Sequence, residues 1–84
     1  MRSQVLAARA AALFASDLPC GTRPGPELIE AAIADAVRTR GGTRGCVAAL
    51  AAAYGDYPET AVVRMRWARS VVQGLYSPDL VLAA

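Results

Sequence analysis

The chain has no histidine, no lysine and only two cysteines, and aromatic residues fill just 6% of its 84 positions. Each shortage removes a class of chemistry. Without histidine, no side chain has an ordinary pKa near neutrality. Without lysine, there is no amine for a Schiff base. No Ser or Cys stands beside a plausible base, so catalysis would have to rest on scattered carboxylates, and the chain is predicted not to be an enzyme. Cys20 and Cys46 are too few for a disulfide framework and have no His to complete a metal site. Both are predicted to be small buried thiols in a reducing cytosol, with neither metal nor cofactor. No stretch approaches the length of a membrane-spanning helix, so no membrane partner is expected. The shortage of aromatic residues argues against sheets, whose strands favour aromatic and β-branched side chains.

What the chain does have is alanine. Hydrophobic residues make up 55% of it, and alanine favours helix while adding little apolar area per residue. An all-α domain of closely packed helices is the fold class that this composition predicts. At 84 residues one domain is expected, burying about two-thirds of its unfolded surface, so its stability is limited and oligomerisation is favoured. All nine basic residues are Arg, a bias typical of GC-rich genomes. Residues 1–37 hold three Arg against Asp17, Glu27, Glu30 and Asp35, a net −1. Residues 38–84 hold six Arg against Asp56, Glu59 and Asp79, a net +3. The positive charge is therefore concentrated in the second half. The start, MRSQVLAARAAALFAS, has the Arg and alanines of a signal peptide. Arg9 interrupts its apolar run and Asp17 stands where cleavage would fall, so it is read as a helix of a mature cytoplasmic protein.

Four helices are expected. The first, over residues 3–16, has Ser3 as its cap and an apolar stripe of Leu6, Ala10, Leu13 and Phe14, with Arg2 and Arg9 off it. DLPCGTRPGP, from Asp17 to Pro26, has three prolines and two glycines and is predicted to be a stiff crossover loop. Pro26 suits the first turn of a second helix over 27–39. Glu27 and Glu30 lie near its positive end, and Ile29, Ile33, Ala36 and Val37 form its buried face. Arg38 and Arg40 lie at its negative end, and Gly41-Gly42 stops it. Thr43 is the expected cap of a third helix over 44–54, with Val47, Leu50, Ala51 and Tyr54 on one side. Gly55 is expected to close that helix with a positive φ. The fourth helix, over 58–76, opens at Pro58. Its stripe of Ala61, Met65, Ala68, Val72 and Leu75 has Trp67 and Val71 beside it; Glu59, Val62, Arg66, Ser70 and Gln73 lie opposite, with Arg69 at the margin. Met65 and Trp67 are assigned to the core, Tyr54 and Tyr57 to packing around the turn, and residues 77–84 to a C-terminal tail.

The order of short helix, glycine turn and longer helix resembles a bacterial helix-turn-helix. Ala51, Gly55 and the PETA of Pro58–Ala61 stand at that family's spacing, and Arg64-Met65-Arg66-Trp67-Ala68-Arg69 resembles the recognition helix of sigma-factor promoter-reading domains. The likeness covers about Val47–Arg69. It implies that Ala51 lets the two helices cross closely, that Gly55 makes the turn, and that Pro58 and Glu59 start a helix for the DNA major groove. The residues it would turn toward DNA are Tyr57, Glu59, Thr60, Val62, Val63 and Arg66. Arg66 would read guanine, Arg69 would neutralise a phosphate, and Arg44 would meet the duplex backbone, with Arg38 and Arg40 as further phosphate contacts.

Asp56-Tyr57 stands where the family has an aliphatic residue followed by Ser or Thr; Asp56 can replace that cap in a D-x-x-E box with Glu59. Val62 and Val63 can touch thymine methyls or pack against a protein. Arg64 falls in the apolar arc and is expected to pair with a carboxylate of the second helix. The resemblance thus implies a small bacterial transcription regulator that binds double-stranded DNA as a dimer. The alternative is a helical interaction module, an adaptor or regulatory subunit for a larger transcription or signalling protein, that does not bind DNA.

Overall fold

The computed structural model describes residues 2–76, with side chains from residue 4 to 75. The tail 77–84 and the side chain of Ser3 therefore lie outside the described residues. Helices α1 (Arg2–Phe14), α2 (Pro26–Arg40), α3 (Thr43–Asp56) and α4 (Pro58–Tyr76) follow in order, and no strand occurs among the described residues. The all-helical class and the four helices agree with the expectation from sequence.

The centre of the fold is α1. Its first half is one-sided, with Gln4, Val5 and Ala7 exposed. From Ala10 to Ala15, however, six consecutive residues are buried, so the expected stripe becomes a helix end enclosed on every side. Four of the six are alanine, whose short side chains let neighbouring backbones approach closely. α1 and α3 each pack against all the other helices, whereas α2 and α4 hardly touch. The largest almost wholly enclosed side chains come one from each helix: Leu13, Ile29, Cys46 and Val72. Burying each of the three aliphatic ones contributes about 1.5–3 kcal/mol.

A helix that ends inside a protein leaves carbonyls without partners. Arg64 of α4 supplies them for α1. Its Nε donates to the Phe14 carbonyl at 2.8 Å, and its Nη2 donates to the carbonyls of Ser16 at 2.9 Å and Leu13 at 3.5 Å. A cation there also complements the negative end of the helix dipole. The guanidinium lies 5.7 Å from the centre of the Phe14 ring and 5.0 Å from that of Trp67, within cation–π range. Arg64 is thus held by main-chain oxygens and aromatic faces, not by a carboxylate of α2 as the sequence suggested. Its burial lowers its pKa, an effect opposed by charges at Cys20 and Asp17. Trp67 donates from Nε1 to the Thr22 carbonyl at 2.7 Å, which ties the crossover loop to α4. Met65 and Trp67 both lie half-buried at the edge of the core.

The expected start and stop of α2 are seen. Gly25 caps it, Pro26 stands in its first turn, and Ile29, Ile33 and Ala36 are buried, with Val37 half-buried. Gly41 ends it at φ 82, and Gly42 donates to the Val37 carbonyl at 2.7 Å. Three details of the third helix differ from expectation. Gly42, at φ 94, occupies the cap position and Thr43 is the first helical residue. The buried side consists of Cys46 with Ala49, Leu50 and Ala53, while Val47, Ala51 and Tyr54 face outward to varying degrees. The helix also continues through Gly55 to Asp56.

That rotation of α3 has a local cause. A Cβ built on Gly45 would overlap the carbonyl oxygen of Arg40. The absence of a side chain at Gly45 lets α3 start directly against the end of α2, and Cys46 then falls into the core. Burial raises the Cys46 thiol pKa, with Arg40 opposing the shift. Cys20, expected to be buried, is exposed in the loop.

Candidate functional site

The candidate surface is the outward side of the α3–α4 pair. The two helices are joined by Tyr57 alone, at φ −140 and ψ 67. Gly55 has no positive φ, contrary to expectation. The break comes from Pro58 instead, because the ring of a proline drives the preceding residue out of the helical region. The Tyr57 N–H donates to the Ala53 carbonyl at 2.7 Å, and its carbonyl accepts from Ala61 at 2.9 Å. One residue therefore finishes α3 and caps α4. Asp56 is the last residue of α3, and no hydrogen bond between Asp56 and Glu59 occurs among the described residues, so the expected D-x-x-E box is not formed. Ala51, expected at the close crossing, is exposed; the tightest approach made by α3 is at Gly45.

All eight residues proposed from sequence for DNA contact are exposed: Arg44, Tyr57, Glu59, Thr60, Val62, Val63, Arg66 and Arg69. Five belong together. Tyr57 at the junction, 71% exposed, leads into Glu59, Val62, Val63 and Arg66 on one helical face, continued by Ser70 and Gln73. Thr60 lies off that face and returns its hydroxyl to the Tyr57 carbonyl at 3.1 Å. Arg69 lies at the margin of the face and turns toward a groove beside α1. Arg44 is near the start of α3, about 20 Å along the helix from Tyr57 at 1.5 Å per residue. Tyr54, the other tyrosine assigned to packing, stacks on Phe14 with ring centres 6.4 Å apart, whereas Tyr57 packs on little.

The arginines divide by what already holds them. Arg9 pairs with Glu30 at 2.9 Å, and Arg38 pairs with Asp35. Arg40 reaches the Ala15 carbonyl at 3.5 Å, and Arg64 is taken up by α1. Arg44, Arg66 and Arg69 make no hydrogen bond or ion pair among the described residues, and neither does Arg23 in the loop. The three on α3 and α4 are the cations most available to an outside partner. The role of Arg64 could not be read from its neighbours in sequence, since the carbonyls it binds lie about fifty residues earlier.

Among the described residues, no cluster of three potential metal ligands occurs, and no helix is long and apolar enough to cross a membrane. Comparison of the chain with family models, with characterised proteins and with solved structures gave no match.

Proposed function

We propose that the chain is a DNA-binding regulator of helix-turn-helix type that presents α4 to the duplex, and that it acts as a binding protein, not a catalyst. The observation that carries the reading is the pair Arg66 and Arg69: exposed, one turn apart on α4 and unpaired within the described chain. Unpaired guanidiniums on a helix open to solvent suit phosphate and guanine, which arginine binds in a fork geometry. Arg44 adds a third free cation on the preceding helix. A single small module holds DNA weakly, so the reading includes a dimer whose half-sites stand about one duplex turn apart.

The test is a salt titration of a labelled duplex. Affinity should fall steeply with salt, and Arg66→Ala and Arg69→Ala should each lower the logarithmic slope by about 1. A dissociation constant above millimolar, or one that ignores salt, sinks the reading.

One observation favours a second reading, a helical interaction module. Tyr57, Val62 and Val63 are exposed apolar side chains on the same face, and aromatic and aliphatic anchors of this kind serve protein interfaces. The double substitution of Val62→Ser and Val63→Ser separates the two. Lost self-association or partner binding, with any DNA binding intact, favours the interaction module.

A further inference from the structure

Between the first half of α1, the end of α3 and the middle of α4 lies a groove of about 420 Å³. Leu6, Leu50, Met65 and Val72 line it with apolar surface, and Arg69 and Gln73 supply polar groups one helical turn apart. Its size and make-up, an apolar surface with a few polar groups, are those of a small-molecule site. Among the described residues, the guanidinium of Arg69 has no partner and no carboxylate lines the groove. An apolar trough beside one unneutralised cation is complementary to a molecule with an anionic head and an apolar tail.

We infer that this groove binds a free single-chain carboxylate, a fatty acid of medium length, with its head on Arg69 and its chain over Leu50, Met65 and Val72. The site does not depend on DNA. Head and tail contribute separately: the charge-assisted hydrogen bonds from Arg69 orient the carboxylate, and the chain covers apolar surface otherwise open to water. A duplex phosphate and the carboxylate would compete for the same guanidinium, so the ligand should weaken any DNA binding that depends on Arg69.

The experiment is a calorimetric and NMR titration of the full chain with decanoate below its aggregation concentration. Saturable one-to-one binding is expected, with shifts at Leu50, Met65 and Val72. Arg69→Gln should weaken it about tenfold, whereas Arg66→Gln should leave it unchanged. Butyrate, which lacks the chain, and decyltrimethylammonium, which has the opposite charge, should not saturate. Circular dichroism confirms that both variants fold, since both arginines are exposed. Absence of saturable decanoate binding overturns the inference, as do equal binding by Arg69→Gln and equal binding of the cationic amphiphile. Self-association that covers the groove and excludes decanoate also overturns it, and assigns the surface to a second copy of the chain.

Discussion

Arg64 works at a distance that only the folded chain provides. Its guanidinium meets three main-chain carbonyls and two aromatic rings at the point where α1 ends inside the molecule. Removing it takes the side-chain donor from the carbonyls of Phe14 and Ser16 in a half-buried site, while the Leu13 carbonyl keeps the Ser16 N–H and hydroxyl. Arg64→Leu keeps apolar bulk but loses every hydrogen bond, and it should lower the unfolding free energy by about 2–4 kcal/mol, measured by urea denaturation. Arg64→Lys retains the charge without the fork and should fall between the two. An unchanged midpoint for Arg64→Leu would show that the end of α1 does not need this donor. Position in an apolar arc correctly marked Arg64 as different from Arg66 and Arg69. Its partners were not legible, because a carbonyl is carried by every residue and no sequence pattern distinguishes the carbonyls of Leu13, Phe14 and Ser16.

At the scale of elements, two glycines of α3 should respond in opposite directions to the same substitution. Gly45→Ala places a methyl group on the Arg40 carbonyl, so the end of α2 must shift, at a cost of about 1–3 kcal/mol. Gly55 is helical with nothing within 4 Å of a built Cβ. Gly55→Ala should therefore raise stability by about 0.5–1 kcal/mol, the usual gain of alanine over glycine inside a helix. Paired thermal melts decide the matter; a loss of stability on Gly55→Ala would restore the turn that the sequence suggested there.

The contrast shows what made α3 hard to read. On α2 and α4 most charged residues lie on one side, so spacing alone located Ile29, Ile33, Ala61, Ala68 and Val72 correctly. In TRGCVAALAAAYGD, alanine and other small or apolar residues surround the axis, and helical periodicity has no phase. The close approach of Gly45 to the Arg40 carbonyl chose the phase instead, and it buried Cys46 in place of Val47. On α4 the outward face of Glu59, Val62 and Arg66 was legible from spacing. The one-residue junction at Tyr57 was hidden by a nearby glycine that looked the more natural turn.

For the whole molecule, the two thiols report on different states. Cys20 is exposed, and Cys46 lies in the core shared by all four helices. A thiol reagent should modify Cys20 at the rate of a free thiol, and Cys46 at least about a hundredfold more slowly, through opening of the fold. Comparable rates would mean that the core opens locally around α3. The raised pKa of Cys46 adds a dependence on pH. Its folded value lies above the ordinary thiol value of 9.0. Stability from keeping that thiol neutral is fully present below about pH 9 and is lost as pH rises through the folded value. Unfolding free energy should fall in this alkaline range, and Cys46→Ala should remove that part of the slope.

The union of Arg64 with the end of α1 also bears on how the chain is made. The central helix is made before α4, and the donor for its last carbonyls follows about fifty residues later. At ordinary rates of translation that interval is about 3–10 s. Throughout it the end of α1 lacks this donor, so α1 is completed only once α4 has been made.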